Sequence, residues 1–170
     1  VVLLVDPDDA LVDEVVAAVD PDLIQLHGRE TPERVRAIRA RSGRPVMKAV
    51  SIRSREDVLR AFDFQGAADL ILFDAKAPEG RAGALPGGNG IPFDWGLLSG
   101  VKDRLAYMLS GGLSPDNVAE ALRMTGAPVV DVSSGVERSP GEKDPALIRR
   151  FVAAVREAAH ELSEPAGQRG

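Results

Sequence analysis

The chain contains no cysteine, which excludes disulfides and thiolate metal sites. It has only two histidines, His27 and His160, far apart in sequence, so a histidine-built zinc site is not expected and no metal is assigned. No apolar run approaches the ~20 residues of a membrane span. Val1–Val5 is too short, and lacks the basic leader, to act as a signal peptide. The net charge of −5 argues against nucleic acid or an anionic membrane as the main partner. An anionic small molecule must then be met by local positive charge or by oriented backbone amides. The sequence does not open with Met, so Val1 is not expected to be a native start, and the chain reads as beginning partway through a fold.

What is present describes a folded α/β domain. With 170 residues, 44% hydrophobic and 28% charged, the chain is long and apolar enough to bury a core and too apolar to be disordered. Short apolar runs alternate with longer helical stretches. The strand candidates are Val1–Val5, Leu23–Leu26, Val46–Val50, Leu70–Phe73, Leu105–Leu109 and Val129–Val132. They are brief and apolar on both faces, as parallel strands covered by helices are. Helices are predicted from Asp8 or Asp9 through Val19, from Thr31-Pro32, from Ser54 with Asp57 as a capping partner, over Asp116–Met124 behind Ser114-Pro115, and from Asp144-Pro145 to about Glu161. An irregular Asp94–Gly100 stretch completes six βα units. Units of this kind build either an open doubly wound sheet or a (β/α)8 barrel lacking two units, and periodicity alone does not choose. Residues 75–92 form a long Gly/Pro/Ala loop, of the kind that is functional or mobile. Residues 163–170 are expected to be a frayed tail behind a domain spanning 1–162.

Two strands run straight into glycine-rich turns, Ser110-Gly111-Gly112 and Ser133-Ser134-Gly135. Backbone N–H groups at such turns bind anions. Successive turns of this type sit where the last two strands of a (β/α)8 barrel hold a phosphate. Gly111, Gly112, Ser134 and Gly135 are therefore the candidate phosphate residues, and ordinary tight turns are the alternative. Asp74 ends the apolar run Leu70–Phe73 and Asp131 ends the last strand; each is a candidate for chemistry or for turn capping. His27 and Lys48 are candidate substrate contacts, with a structural role for His27 and pairing of Lys48 to a carboxylate as the alternatives. Asp6-Pro7 is a good turn starter in its own right. Phe93, Trp95 and Phe151 are expected to anchor the core, and Arg36, Arg39 and Arg41 to form a solvated face.

Taken in order, a series of short segments resembles the N-(5′-phosphoribosyl)anthranilate isomerase family. They are Val5-Asp6-Pro7-Asp8-Asp9, Gln25-Leu26-His27-Gly28, Lys48-Ala49-Val50, Phe73-Asp74-Ala75-Lys76, Gly87-Gly88-Asn89-Gly90 and Phe93-Asp94-Trp95. Leu109–Leu113, Pro115–Val118, Asp131–Glu137 and Pro140–Asp144 close the series. The resemblance implies a (β/α)8 barrel whose first two βα units are not in this sequence, so that Val1 falls in the third barrel strand. Those units carry the family's Lys-x-Cys-Gly motif, whose cysteine is its general base, and an arginine for the anthranilate carboxylate.

The implied reaction is an Amadori rearrangement in tryptophan biosynthesis, an aldose–ketose isomerisation of N-(5-phosphoribosyl)anthranilate that needs neither metal nor redox cofactor. Asp74 takes the place of the general acid. A carboxyl shielded by apolar neighbours keeps a proton more readily than one in water. Asp131 orients substrate or a neighbouring group. Gly88 and Gly90 lie on a loop that closes over the substrate. The partner is a phosphorylated small molecule, the location cytoplasmic, and the oligomeric state open. Two alternatives stand beside this reading: a truncated, catalytically inactive phosphate-binding fragment, and another phosphate-binding barrel enzyme. A barrel short of two units exposes strand edges, so the chain alone is expected to be marginal, self-associating or completed by a separate piece.

Overall fold

In the computed structural model, residues 1–75 and 93–163 are described. The chain forms a six-stranded parallel sheet in sequential order: β1 (Val2–Leu4), β2 (Ile24–Leu26), β3 (Val46–Ile52), β4 (Leu70–Ala75), β5 (Tyr107–Leu109) and β6 (Val129–Val130). Helices α1 (Asp9–Val19), α2 (Pro32–Ser42), α3 (Arg55–Ala61), α4 (Val118–Thr125) and α5 (Pro145–Ser163) alternate with them. A 3-10 turn at Trp95–Leu98 stands where the irregular sixth helix is expected. Doubly wound sheets reverse their strand order at a switch point. Here there is no reversal, and the barrel reading is the one that stands.

Local chemistry explains most helix starts. Asp8 caps α1 by accepting from Leu11 N at 2.8 Å, and Thr31 caps α2 by accepting from Arg34 N at 3.3 Å with Pro32 at the first turn. Caps of this type contribute ~1 kcal/mol each. Asp57 reaches back to the N–H of Ser54 at 3.1 Å, the capping arrangement read from sequence at α3. The fourth helix begins two residues later than predicted, at Val118. Its would-be first turn is held by Asn117, whose Oδ1 accepts from Ser114 N at 2.8 Å and whose Nδ2 donates to Gly112 O at 2.9 Å. A short antiparallel hairpin, β7 (Glu137–Ser139) with β8 (Glu142–Lys143), precedes α5 and was not foreseen.

The sheet has two unlike faces. Val2, Leu4, Ile24, Leu26, Val46, Ile71, Phe73, Tyr107 and Leu109 face the helices and form the main core with Val12, Val35, Ile38, Val58, Leu122 and Phe151. Trp95 and Phe151 are buried and Phe93 packs against the same core, as anchors should. The opposite face carries a smaller cluster of Met47, Ala49 and Leu72 backed by Leu23, Leu70 and Met108. This is the concave face that a barrel turns inward. On that face Leu3 is 51% exposed and Val129 42%, at the two strands that pair on one side only among the described residues.

Arg39 and Arg41 lie on the outer surface as expected, but each is committed. Arg39 holds Asp69 through two nitrogens at 2.8 and 2.6 Å, and Arg41 holds Asp13 in the same way at 2.7 and 2.6 Å. Among the described residues Arg36 makes a single ion pair, a 3.4 Å contact to Glu33.

Candidate active site

Strand register places the polar residues. Phe73 pairs with Leu109, and Leu109 with Val130, so Asp74, Ser110 and Asp131 occupy one level on three adjacent strand ends, all on the concave face. His27, one residue past β2, joins them from across β3, where the lumen position is the small Ala49. These are the C-terminal ends of the strands, the face that carries chemistry in barrels of this type.

Asp74 is 3% exposed, inside β4 rather than after it. His27 Nε2 lies 3.5 Å from its Oδ2, ion-pair reach but longer than a good hydrogen bond. Its Oδ1 is buried with no hydrogen-bond partner among the described residues. Buried polar atoms are rarely left so. A carboxyl oxygen in this position, facing the lumen, is able to bond a ligand there. Asp131 is exposed and accepts from Ser110 Oγ at 3.0 Å, which steers its carboxylate toward the neighbouring strand end.

The two glycine turns flank the same rim. Gly111 and Gly112 adopt φ of +86° and +66°, a region costly for any residue with a Cβ. A Cβ on Gly111 would overlap Ala75 N and sit 2.6 Å from Ala75 Cβ. One on Gly135 would overlap Leu113 O and sit 2.9 Å from Leu113 C. The glycines thus let adjacent strand-to-helix turns pack backbone against backbone. No described residue accepts a hydrogen bond from the N–H of Gly111, Gly112, Ser134 or Gly135. Lys143, on the hairpin that follows, donates to Ser133 O at 2.9 Å and to Ser133 Oγ at 3.1 Å, and pairs with Glu137 at 2.6 Å. It brings a positive charge beside the second turn. Sequence reasoning missed Lys143, because the hairpin that carries it was not anticipated.

Lys48 has the carboxylate partner that the sequence left open. It sits in register with Leu26 and Ile71 on the helix-facing side, away from the row that holds His27 and Asp74. Its Nζ lies 3.0 Å from Glu30 Oε2 and donates to Gly28 O at 2.9 Å and Ala49 O at 2.8 Å. Glu30, in turn, accepts from Asp6 N at 2.9 Å and Gly28 N at 3.1 Å. Asp6 serves its turn: it has φ +45° and accepts from Arg29 N at 2.6 Å. Gly88 and Gly90 lie outside the described residues. No cluster of three or more potential metal ligands occurs among the described residues.

Comparison with known proteins decides the lineage. Residues 1–154 match the family model for N-(5′-phosphoribosyl)anthranilate isomerase. This chain belongs to that family. It is 54% identical to the N-(5′-phosphoribosyl)anthranilate isomerase of Parvibaculum lavamentivorans over 158 residues, 93% of this chain and 74% of that protein. It is 56% identical to the Brucella canis enzyme over 158 residues, 93% of this chain and 70% of the relative. The crystal structure of phosphoribosylanthranilate isomerase from Thermotoga maritima superposes with a TM-score of 0.78 at 35% identity, covering 91% of this chain and 71% of that one. Another isomerase structure, at TM-score 0.74 and 33% identity over 91% of this chain and 70% of its own, was solved in complex with reduced 1-(o-carboxyphenylamino)-1-deoxyribulose 5-phosphate. These neighbours agree with the barrel topology read from strand order.

Proposed function

We propose that Asp74 is the general acid of this isomerase and that the turns at Gly111–Gly112 and Ser134–Gly135 hold the substrate's phosphate. The family's reaction converts N-(5′-phosphoribosyl)anthranilate, an intermediate of tryptophan biosynthesis, into the corresponding aminoketose phosphate, and this chain is a member of that family. The observation that carries the assignment is the buried Oδ1 of Asp74 at the lumen end of β4, which has no hydrogen-bond partner among the described residues.

Protonated Asp74 gives its proton to the furanose ring oxygen as the bond from that oxygen to carbon 1 breaks, leaving a Schiff base to the anthranilate nitrogen. Removal of the carbon 2 proton gives the enolamine, which tautomerises to the aminoketose. The sequence contains no cysteine, so the base that the family resemblance implies is not among these residues. The phosphate is met by the N–H groups of the two turns, which donate to no described residue, with Lys143 beside them, and Asp131, steered by Ser110, orients the sugar. A cytoplasmic location accompanies this reading.

The test is Asp74→Asn in the native enzyme. General acid–base contributions are about 10²–10⁴-fold, so kcat should fall by that order while binding of a phosphorylated product analogue is retained. Near-wild-type kcat would remove Asp74 from the mechanism.

A further inference from the structure

We propose that His27 is a positioning residue for Asp74, with its tautomer set by Gln25. This rests on the reading of Asp74 as the acid. Gln25 and His27 are two apart at the end of β2 and share the concave face. Gln25 Nε2 lies 3.1 Å from His27 Nδ1. An amide nitrogen only donates, so Nδ1 accepts and the single ring proton of the neutral imidazole resides on Nε2. That N–H faces Asp74 Oδ2 at 3.5 Å, too long for a hydrogen bond, and Nε2 has no hydrogen-bond partner among the described residues. The ring is held in place by burial, with the His27 side chain 8% exposed and that of Asp74 4%.

The arrangement divides the work of the carboxyl. Oδ2 is assigned to the imidazole N–H, and Oδ1, which has no partner among the described residues, is left to carry the proton to the ring oxygen. When Asp74 has given up its proton, the Nε2–H stabilises the carboxylate left behind. A contact of this length tightens when substrate fills the site. Of the described charged groups near this rim, Asp131 engages Ser110, and Lys48 engages Glu30 on the far side of the sheet. The Glu30–Lys48 pair contributes indirectly, because both of its members bind Gly28, the residue next to His27.

The experiment combines four substitutions with a spectrum, all in the native enzyme. Nitrogen-15 NMR of the imidazole, with the His27 signals assigned by their loss in His27→Gln, should show a proton on Nε2 and a bare Nδ1. Gln25→Glu replaces the donor by an acceptor of the same shape, and should move the proton to Nδ1 while lowering kcat by roughly 10- to 100-fold, the range of a lost hydrogen bond to a charged group. KM should stay within about twofold. His27→Ala should lose kcat similarly. His27→Gln, whose amide nitrogen can stand near the Nε2 position, should recover most of it. In an Asp74→Asn background His27→Ala should add little, since the two act as a unit.

A bare Nε2 in the parent spectrum, or full kcat in Gln25→Glu, would overturn the proposal. So would equal loss in His27→Gln and His27→Ala, which would assign the histidine to packing. If Asp74→Asn itself retains turnover, the acid assignment fails first. If it abolishes turnover while the His27 and Gln25 variants stay at wild-type kcat, only the positioning role fails.

Discussion

Replacing Lys48 by Met should be among the most damaging single substitutions in this chain. The side chains of Lys48 and Glu30 are 4% and 1% exposed, and the ammonium–carboxylate distance is 3.0 Å. Exposed pairs of this kind contribute only ~0–1 kcal/mol. Here the surroundings are different. The ammonium has two further carbonyl acceptors within 2.9 Å, and the carboxylate collects the N–H groups of Asp6 and Gly28. Removing Lys48 leaves a carboxylate in the interior with two backbone donors and no counter-charge. Breaking a buried pair in this way costs about 3–5 kcal/mol, against a total of about 5–15 kcal/mol for a typical domain. With a urea m-value of about 1–3 kcal/mol/M, the unfolding midpoint should fall by roughly 1–5 M.

The double variant Lys48→Met with Glu30→Gln removes both charges but leaves an amide oxygen to accept from Asp6 N and Gly28 N. It should be more stable than Lys48→Met alone, with a coupling of about 1–3 kcal/mol in the cycle. Equilibrium urea unfolding of the four proteins measures this. A loss below about 1 kcal/mol for Lys48→Met, the surface-pair range, or simple additivity in the cycle, would refute the reasoning.

Three further outcomes are expected. Gly43→Ala meets only the left-handed φ of +63° and open space, so it should lose about 1–2 kcal/mol, whereas Gly111→Ala adds overlap with Ala75 and should lose distinctly more; thermal melts of the two rank them. Lys143→Met should weaken binding of inorganic phosphate severalfold, read by titration calorimetry, with little change in unfolding midpoint because the side chain is 44% exposed. Acid should destabilise the fold. Asp9 and Asp13 are held below the usual carboxylate range by Arg34 and Arg41, so their contribution is present above the unfolded-state value near 4 and is lost as pH falls through the lower folded values. Asp13→Asn should flatten the fall in urea midpoint between about pH 5 and 3; an unchanged pH slope would mean that the Arg41 pair contributes nothing.

Periodicity located all six sheet strands, since each is a short apolar run closed by a turn. It could not close the sheet: choosing barrel over doubly wound required the strand order, which depends on contacts far apart in sequence. Helix starts at Asp8, Thr31 and Ser54 were legible because the capping side chain sits next to the helix it caps. The start near Ser114 was misplaced because Asn117 closes a turn with Gly112 and Ser114, and that competition is not visible in helix propensity. Asp74 was legible as a carboxylate ending an apolar run, but its relation to His27 was not. The two are separated by a full β-strand, and nothing local in sequence places an imidazole opposite a carboxyl.

Lys48 shows the limit of reading function from residue type. A lysine at a strand end near the active face suggests a positive charge for an anionic substrate. The deciding quantity is pleat parity: on a strand, neighbouring side chains point to opposite faces. Lys48 falls on the helix-facing parity shared with Leu26 and Ile71, while Ala49 takes the lumen. Glu30 then becomes intelligible as the carboxylate needed to bury that lysine, and Gly28 as the backbone both of them bind. The two faces of the sheet from β2 to β4 therefore carry separate polar systems, a closed ion pair outward and an open His27–Asp74 pair inward. In the outward system each polar group is paired, as a stabilising role requires. In the inward one Asp74 Oδ1 and His27 Nε2 have no hydrogen-bond partner among the described residues, and it is on that deficit that the proposed acid role of Asp74 rests.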